Sequence, residues 1–197
     1  MRYIRVSYKN NRRVFNIIFF IISISITLGL IISLNIDKEL LNNIYNYYIE
    51  YINSYNSNIL GNILYPIIIY ISTFIISLTI IGFFLPFLAI FIENMSIGFI
   101  IGILIQKNML KGLLFGMIHF ILTKLIYNII LIYLTINIYK FIKTLLASLK
   151  NKNNESIYNL YSKILIKLFF CIITITIINL INIFIIPRIL KLFIFLL

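Results

Sequence analysis

Apolar residues run almost without interruption over five stretches of the 197-residue chain, and polar residues collect between them. Residues 14–34, 63–81, 85–105, 113–138 and 168–186 are each of about the length that carries an α-helix across a bilayer. The pattern predicts an all-α, polytopic integral membrane helix bundle of five transmembrane helices, forming one domain over residues 1–197. Between the first two runs, residues 35–62 carry Asp37, Lys38, Glu39 and Glu50. Leu41, Ile44, Tyr45, Tyr48 and Ile52 recur there at helical spacing, which predicts an amphipathic helix. Its tyrosines suit the headgroup zone, so the expectation is a helix lying on the membrane, with a docking surface for a partner as the alternative. Gly82 to Pro86 is expected to form a tight turn.

Charge orients these elements. Arg2, Arg5, Lys9, Arg12 and Arg13 precede the first run, and Lys140, Lys143, Lys150, Lys152, Lys163 and Lys167 face a lone Glu155 over residues 140–167. The positive-inside preference places both regions in the cytoplasm. The N-terminus is then inside, the C-terminus outside and residues 35–62 external. Lys107, Lys111, Arg188 and Lys191 fall outside against the rule, as a minority. The first run is too long for a signal-peptide core and no small-residue cleavage site closes it, so it reads as an uncleaved span.

Composition narrows the class. The chain is 62% hydrophobic and 11% charged, with a mean hydropathy of +1.07, whereas soluble domains carry roughly a quarter charged residues. The net charge of +12 sits beside apolar runs, which favours membrane lipid as the partner over nucleic acid. A single cysteine, Cys171, excludes a disulfide framework and a cysteine metal cluster.

The stretch from Gly82 to Lys124 concentrates the unusual chemistry. Gly98 with Gly102 and Gly112 with Gly116 are two four-spaced pairs on either side of a polar break at residues 106–111. Small residues at this spacing let membrane helices approach backbone to backbone. The expectation is a hairpin of the third and fourth spans, packed through both pairs and through His119, with its turn between Asn108 and Met109. Helices running back from that turn bring Glu93 and Lys124 to equal depth, roughly 18 Å from the outer end of the third span at about 1.5 Å per residue. An unpaired charge at mid-bilayer costs about 2.5–3.5 kcal/mol, so the two are expected to pair. The competing reading is a proton or ion relay through Glu93, His119 and Lys124, and a third is a contact site for a partner. His119 alone is a poor metal ligand, and Asn179 and Asn182 on the last run are expected to hydrogen-bond between helices. The sequence contains no phosphate loop, nucleophile elbow, zinc-protease motif or Cys-x-x-Cys, so no enzymatic activity, cofactor or metal site is expected.

The run IIGFFLPFLAIFIENMSIGFIIGILIQKNMLKGLL, followed by a long fourth helix, a basic segment and a last span, resembles the stage II sporulation protein M family of endospore-forming bacteria. The similarity is best from Ile80 to Ile138. Gly82, Pro86, Gly98, Gly102 and Gly112 stand where that family tends to have Gly or Pro. Glu93-Asn94 replaces the pair that opens the family's glycine stretch, and Leu122-Thr123 replaces a Pro and polar residue. The resemblance implies a multi-pass protein of the engulfing mother-cell membrane. It also implies a non-enzymatic anchor that recruits two peptidoglycan-degrading enzymes, stage II sporulation proteins D and P, during forespore engulfment. The alternative is a transport or channel component with a Glu93/Lys124/His119 polar path, and a third is an assembly factor for another membrane complex. Self-association into a homo-oligomer is left open.

Overall fold

The computed structural model describes residues 11–53, 59–151 and 157–196, all of them in helices or short connections. The expected basic residues Arg2, Arg5, Lys9 and Lys152, with Glu155, lie outside the described residues. The helices are α1 (Arg12–Leu34), α2 (Lys38–Asn53), α3 (Ile59–Ser77), α4 (Leu85–Thr123), α5 (Leu125–Asn151), α6 (Ile157–Phe184) and α7 (Ile186–Leu192). Four segments are long and apolar enough to cross a membrane: Arg12–Leu34, Gly82–Thr123, Leu125–Ser148 and Tyr158–Phe184. Ile67–Ser77 is a shorter apolar helix. The chain is thus an all-helical membrane protein.

α4 is two antiparallel arms, 85–108 and 110–123, because Met109 takes φ 47° and ψ −125° and reverses the chain. A side chain held at such angles costs about 1–3 kcal/mol, which the packing of the two arms offsets. Leu104 faces Gly112 and Ile101 faces Gly116, pairs nearly equidistant from the reversal. The second arm bends at Lys124 and continues into α5. Lys124 N–H still donates to the Phe120 carbonyl at 2.9 Å and Asn128 N–H to the Lys124 carbonyl at 2.8 Å, so the bend does not break the hydrogen-bond ladder.

α1 runs parallel to the first arm of α4, and the two make the most extensive packing among the described residues. Gly29 lies against the backbone of Met95 and Phe99, Gly98 against the Ile26 carbonyl, and Gly102 against the Ser33 hydroxyl. This corrects the expectation that the two glycine pairs face each other. Gly98 and Gly102 are the seat of α1, and only Gly112 and Gly116 pack the hairpin against itself. The reason is directional: successive faces of one helix look toward different neighbours, and four-residue spacing fixes a face but not its partner.

α3 runs back along the first arm and stops at Ser77, four residues short of the expected end. Leu78 and Thr79 donate their N–H groups to Ile75 and Ile76 carbonyls, and Gly82 N–H donates to Thr79 Oγ1 at 3.0 Å. A short 3-10 turn, Gly82–Phe84, then leads into α4. The basic stretch 140–167 is helical on both sides of residues 152–156. Phe141, Ile142 and Leu145 of α5 are buried with Ile164 and Leu168 of α6, while Lys140, Lys143, Lys163 and Lys167 lie on exposed surface. Lysines placed away from an apolar stripe do not interrupt a helix. Against the expected spans 113–138 and 168–186, α5 therefore runs on past residue 138 to Asn151, and α6 begins ahead of residue 168, at Ile157.

α2 is packed against the bundle. Leu41 and Ile52 are buried, and Tyr45, Tyr48 and Tyr51 pack with Leu104, Phe115, Ile186 and Leu190. The tail behaves alike: the chain turns at Ile185, resumes as α7 with Pro187 in its first turn, and buries Leu190 in the same cluster.

Candidate functional site

Every ionisable residue expected inside the hairpin is placed. Lys124 Nζ lies 2.6 Å from Glu93 Oε2, bridging the second arm's end and the first arm's middle. The other carboxylate oxygen, Glu93 Oε1, accepts from the Tyr70 hydroxyl of α3. The Lys124 ammonium also stands 5.7 Å from the centre of the Tyr127 ring, which packs 5.3 Å from the ring of Tyr70. One carboxylate thus ties three helical segments together. The carboxylate and ammonium neutralise each other where an isolated charge would be costly. Their side chains keep 19% and 31% exposure, so the pair sits at the flank of the bundle rather than in a sealed core.

One residue further along, a second polar lock closes. Asn94 and Asn128 exchange amide hydrogen bonds, 3.2 Å from Asn94 Nδ2 to Asn128 Oδ1 and 2.9 Å in the reverse sense. Asn94 Nδ2 also donates to the Ile90 carbonyl at 2.7 Å. The sequence pattern did not single out Asn94, Asn128 or Tyr70 as partners at this depth. Their signal was available: polar residues at the depth of Glu93 on the flanking helices.

His119 does not join the pair. Among the described residues it forms no hydrogen bond or ion pair with Glu93 or Lys124. Its ring meets that of Tyr48 edge-on at 5.4 Å, and Tyr48 meets Phe115 at 6.4 Å. The Thr123 hydroxyl donates to the His119 carbonyl at 2.8 Å, so it too is spent on its own helix. Among the described residues Asn179 Nδ2 and Asn182 Oδ1 are buried without a hydrogen-bond partner, against the expectation of interhelical bonds.

Two cavities border these groups. One of about 410 Å³ lies between α3 and the first arm, with Tyr70, Thr73 and Glu93 among its lining residues. The other, of about 320 Å³, lies between α2 and α4 and includes His119, Tyr48 and Tyr51. Burial in that region pushes the Tyr48 and Tyr51 phenols above their ordinary pKa, so both stay neutral. Among the described residues no group of three or more His, Cys, Asp or Glu could hold a metal.

At the Met109 end, Lys107 Nζ donates to Asn42 Oδ1 and stands 5.7 Å from the centre of the Tyr45 ring. Asn108 Nδ2 donates to the Tyr45 hydroxyl at 2.9 Å and Gln106 Nε2 to the Ser33 carbonyl at 2.6 Å. The polar break that turns the hairpin thereby fastens α1 and α2 to it. No protein-family model, curated protein or solved structure matches the chain.

Proposed function

We propose that this protein is a non-enzymatic membrane anchor and scaffold that recruits peptidoglycan-degrading enzymes during forespore engulfment. The observation that carries this reading is that the hairpin's polar groups are turned on one another: Glu93 to Lys124 and Tyr70, Asn94 to Asn128. Such closed pairs rigidify a bundle and leave its recognition chemistry at the ends. The resemblance from Ile80 to Ile138 to the stage II sporulation protein M family supplies the biological setting. In this reading five spans cross the mother-cell membrane with the N-terminus inside. The Met109 end, with α2 and α7, faces the wall, where it meets sporulation proteins D and P.

Affinity purification of the tagged chain from sporulating cells tests the reading. Recovery of wall hydrolases supports it, and their consistent absence removes it. Single cysteines on a Cys171→Ser background test the orientation: Lys111→Cys should react with an impermeant maleimide from outside, and Lys143→Cys should not. A transport role draws support from one observation, the cleft of about 410 Å³ beside Glu93. Ion or proton flux in proteoliposomes that Glu93→Gln abolishes would favour it over the scaffold.

A further inference from the structure

The flank shared by α5 and α6 carries features that a scaffold does not use. A groove of about 430 Å³ runs between the two helices, lined by Ile130 and Tyr133 of α5 and by Phe170, Cys171 and Thr174 of α6, with Lys167 at one end. Tyr133 and Phe170 stay exposed, so the groove opens outward from the bundle, which in a membrane means toward lipid. Two contacts fix the register of the walls. Lys167 Nζ donates to Asn137 Oδ1 at 2.9 Å, and the Phe141 ring meets the Tyr161 ring edge-on at 4.9 Å. At equal rise on both helices, Tyr133 then lies level with Phe170, Asn137 with Lys167, and Lys140 with Lys163. Ile130, Tyr133, Asn137 and Lys140 recur at spacings of three, four and three. Lys163, Lys167, Cys171 and Thr174 recur at four, four and three. Each set therefore forms one strip of its helix, and the lysines continue the line of the groove.

The lysines stand where headgroups do. From the reversal at Met109 to Asn137 the helix covers at most about 42 Å, against about 40–45 Å for a bilayer with its headgroups. Arg12 and Arg13, exposed at the start of α1, mark the same end of the bundle, because the adjacent Val14 is buried in one cluster with Phe141 and Ile142. Lys140 and Lys163 are exposed, and neither has an acidic partner among the described residues. The bond to Asn137 occupies one of three donors on Lys167 and, being to a neutral amide, leaves its charge uncompensated. Outward from the bilayer middle, the flank thus offers an apolar trough, then Lys167, then Lys140 with Lys163. That is the order of an acyl chain below a phosphate. An acidic protein segment would match the lysines but not the trough beneath them, and an apolar helix would match the trough but not the lysines.

We propose that the α5–α6 groove binds an anionic phospholipid, with one acyl chain between Tyr133 and Phe170 and the phosphate among Lys140, Lys163 and Lys167. The inference rests on membrane embedding and not on the scaffold reading. Native mass spectrometry of the detergent-purified full chain, in an equal mixture of dioleoyl phosphatidylglycerol and dioleoyl phosphatidylcholine, counts retained lipid and tests it. The wild type should retain phosphatidylglycerol in preference. Lys163→Gln should lower that preference roughly fivefold, the worth of one basic side chain near an anionic surface. Arg13→Gln alters an exposed residue of α1 outside the groove and should leave the preference unchanged. Thr174→Trp, at an exposed position of α6, should fill the trough and lower retention of both lipids. Equal retention of the two lipids by the wild type would overturn the anionic assignment. Equal effects of Lys163→Gln and Arg13→Gln would spread the lipid over the basic surface at large and overturn the site, as would unchanged retention in Thr174→Trp. A dimer in the same spectra that Thr174→Trp abolishes would give the groove to a second copy and overturn the lipid. Should Thr174→Trp fail to fold, the comparison of Lys163→Gln with Arg13→Gln decides the question, since both residues are exposed.

Discussion

Two helices meet the first arm of α4 by different physics. α1 reaches it through Gly29, Gly98, Gly102 and Ser33, backbone against backbone, with no room for an added methyl group. α2 reaches the same hairpin through tyrosines, which hold it off by the width of a ring and leave a cavity of about 320 Å³ behind them. In lipid there is no hydrophobic drive to bring helices together, so closeness must come from small side chains or from polar contacts. The α1 seam takes the first route. The α2 seam combines ring contacts with surface bonds such as Asn108 to Tyr45, and it packs less closely.

The sharpest way to break this contrast is to add bulk on the α1 side. Gly98→Val would drive a side chain into the Ile26 carbonyl and should destabilise by at least about 3 kcal/mol. It should appear as loss of monodisperse protein in detergent. A variant that melts like the wild type would show that the seam is not backbone-close. Gly116→Ala meets side chains first, Ile101 Cγ1 at 3.1 Å and Leu104 Cδ1 at 3.5 Å, with backbone no nearer than 3.6 Å, and should be tolerated far better.

Next in size is the pair that ties the hairpin to α3. Glu93→Ala leaves Lys124 unpaired and should cost up to about 2.5–3.5 kcal/mol, less whatever the partly exposed lysine recovers by reaching toward the interface. Protein level and thermal melting read this. Combining Glu93→Lys with Lys124→Glu should restore part of the loss, and harmless single changes with no restoration would remove the pairing argument. On the α2 side, Tyr48→Ala deletes ring contacts with Phe115 and His119 and should cost about 0.5–1.5 kcal/mol per ring pair. A cost equal to that of Gly98→Val would erase the distinction between the two seams. Smallest is Asn128→Leu, which removes an amide exchange and should lower stability by about 0.6 kcal/mol.

Much of the hairpin is legible in the residues. The polar break at 106–111 marks the reversal, and equal helical rise on both sides of it brings Glu93 opposite Lys124. That is local geometry, set by one turn and a fixed rise per residue. The role of His119 was harder to read, because a face shared with Gly112 and Gly116 says nothing of which helix covers it. The lysines of residues 140–167 misled in another way, since charge density marks a change of surroundings and not the end of a helix.

Residue pattern was enough to show that the chain is helical and membrane-embedded, where it turns back, and which charges share a depth. Tertiary structure alone decided that Gly98 and Gly102 receive α1, that Tyr70 shares the carboxylate of Glu93, that Asn94 meets Asn128, and that α2 and α7 close over one end. The division has a physical cause. Helix period and turn position depend on neighbours in the chain, whereas the helix that fills a given groove is chosen by shape among segments dozens of residues apart.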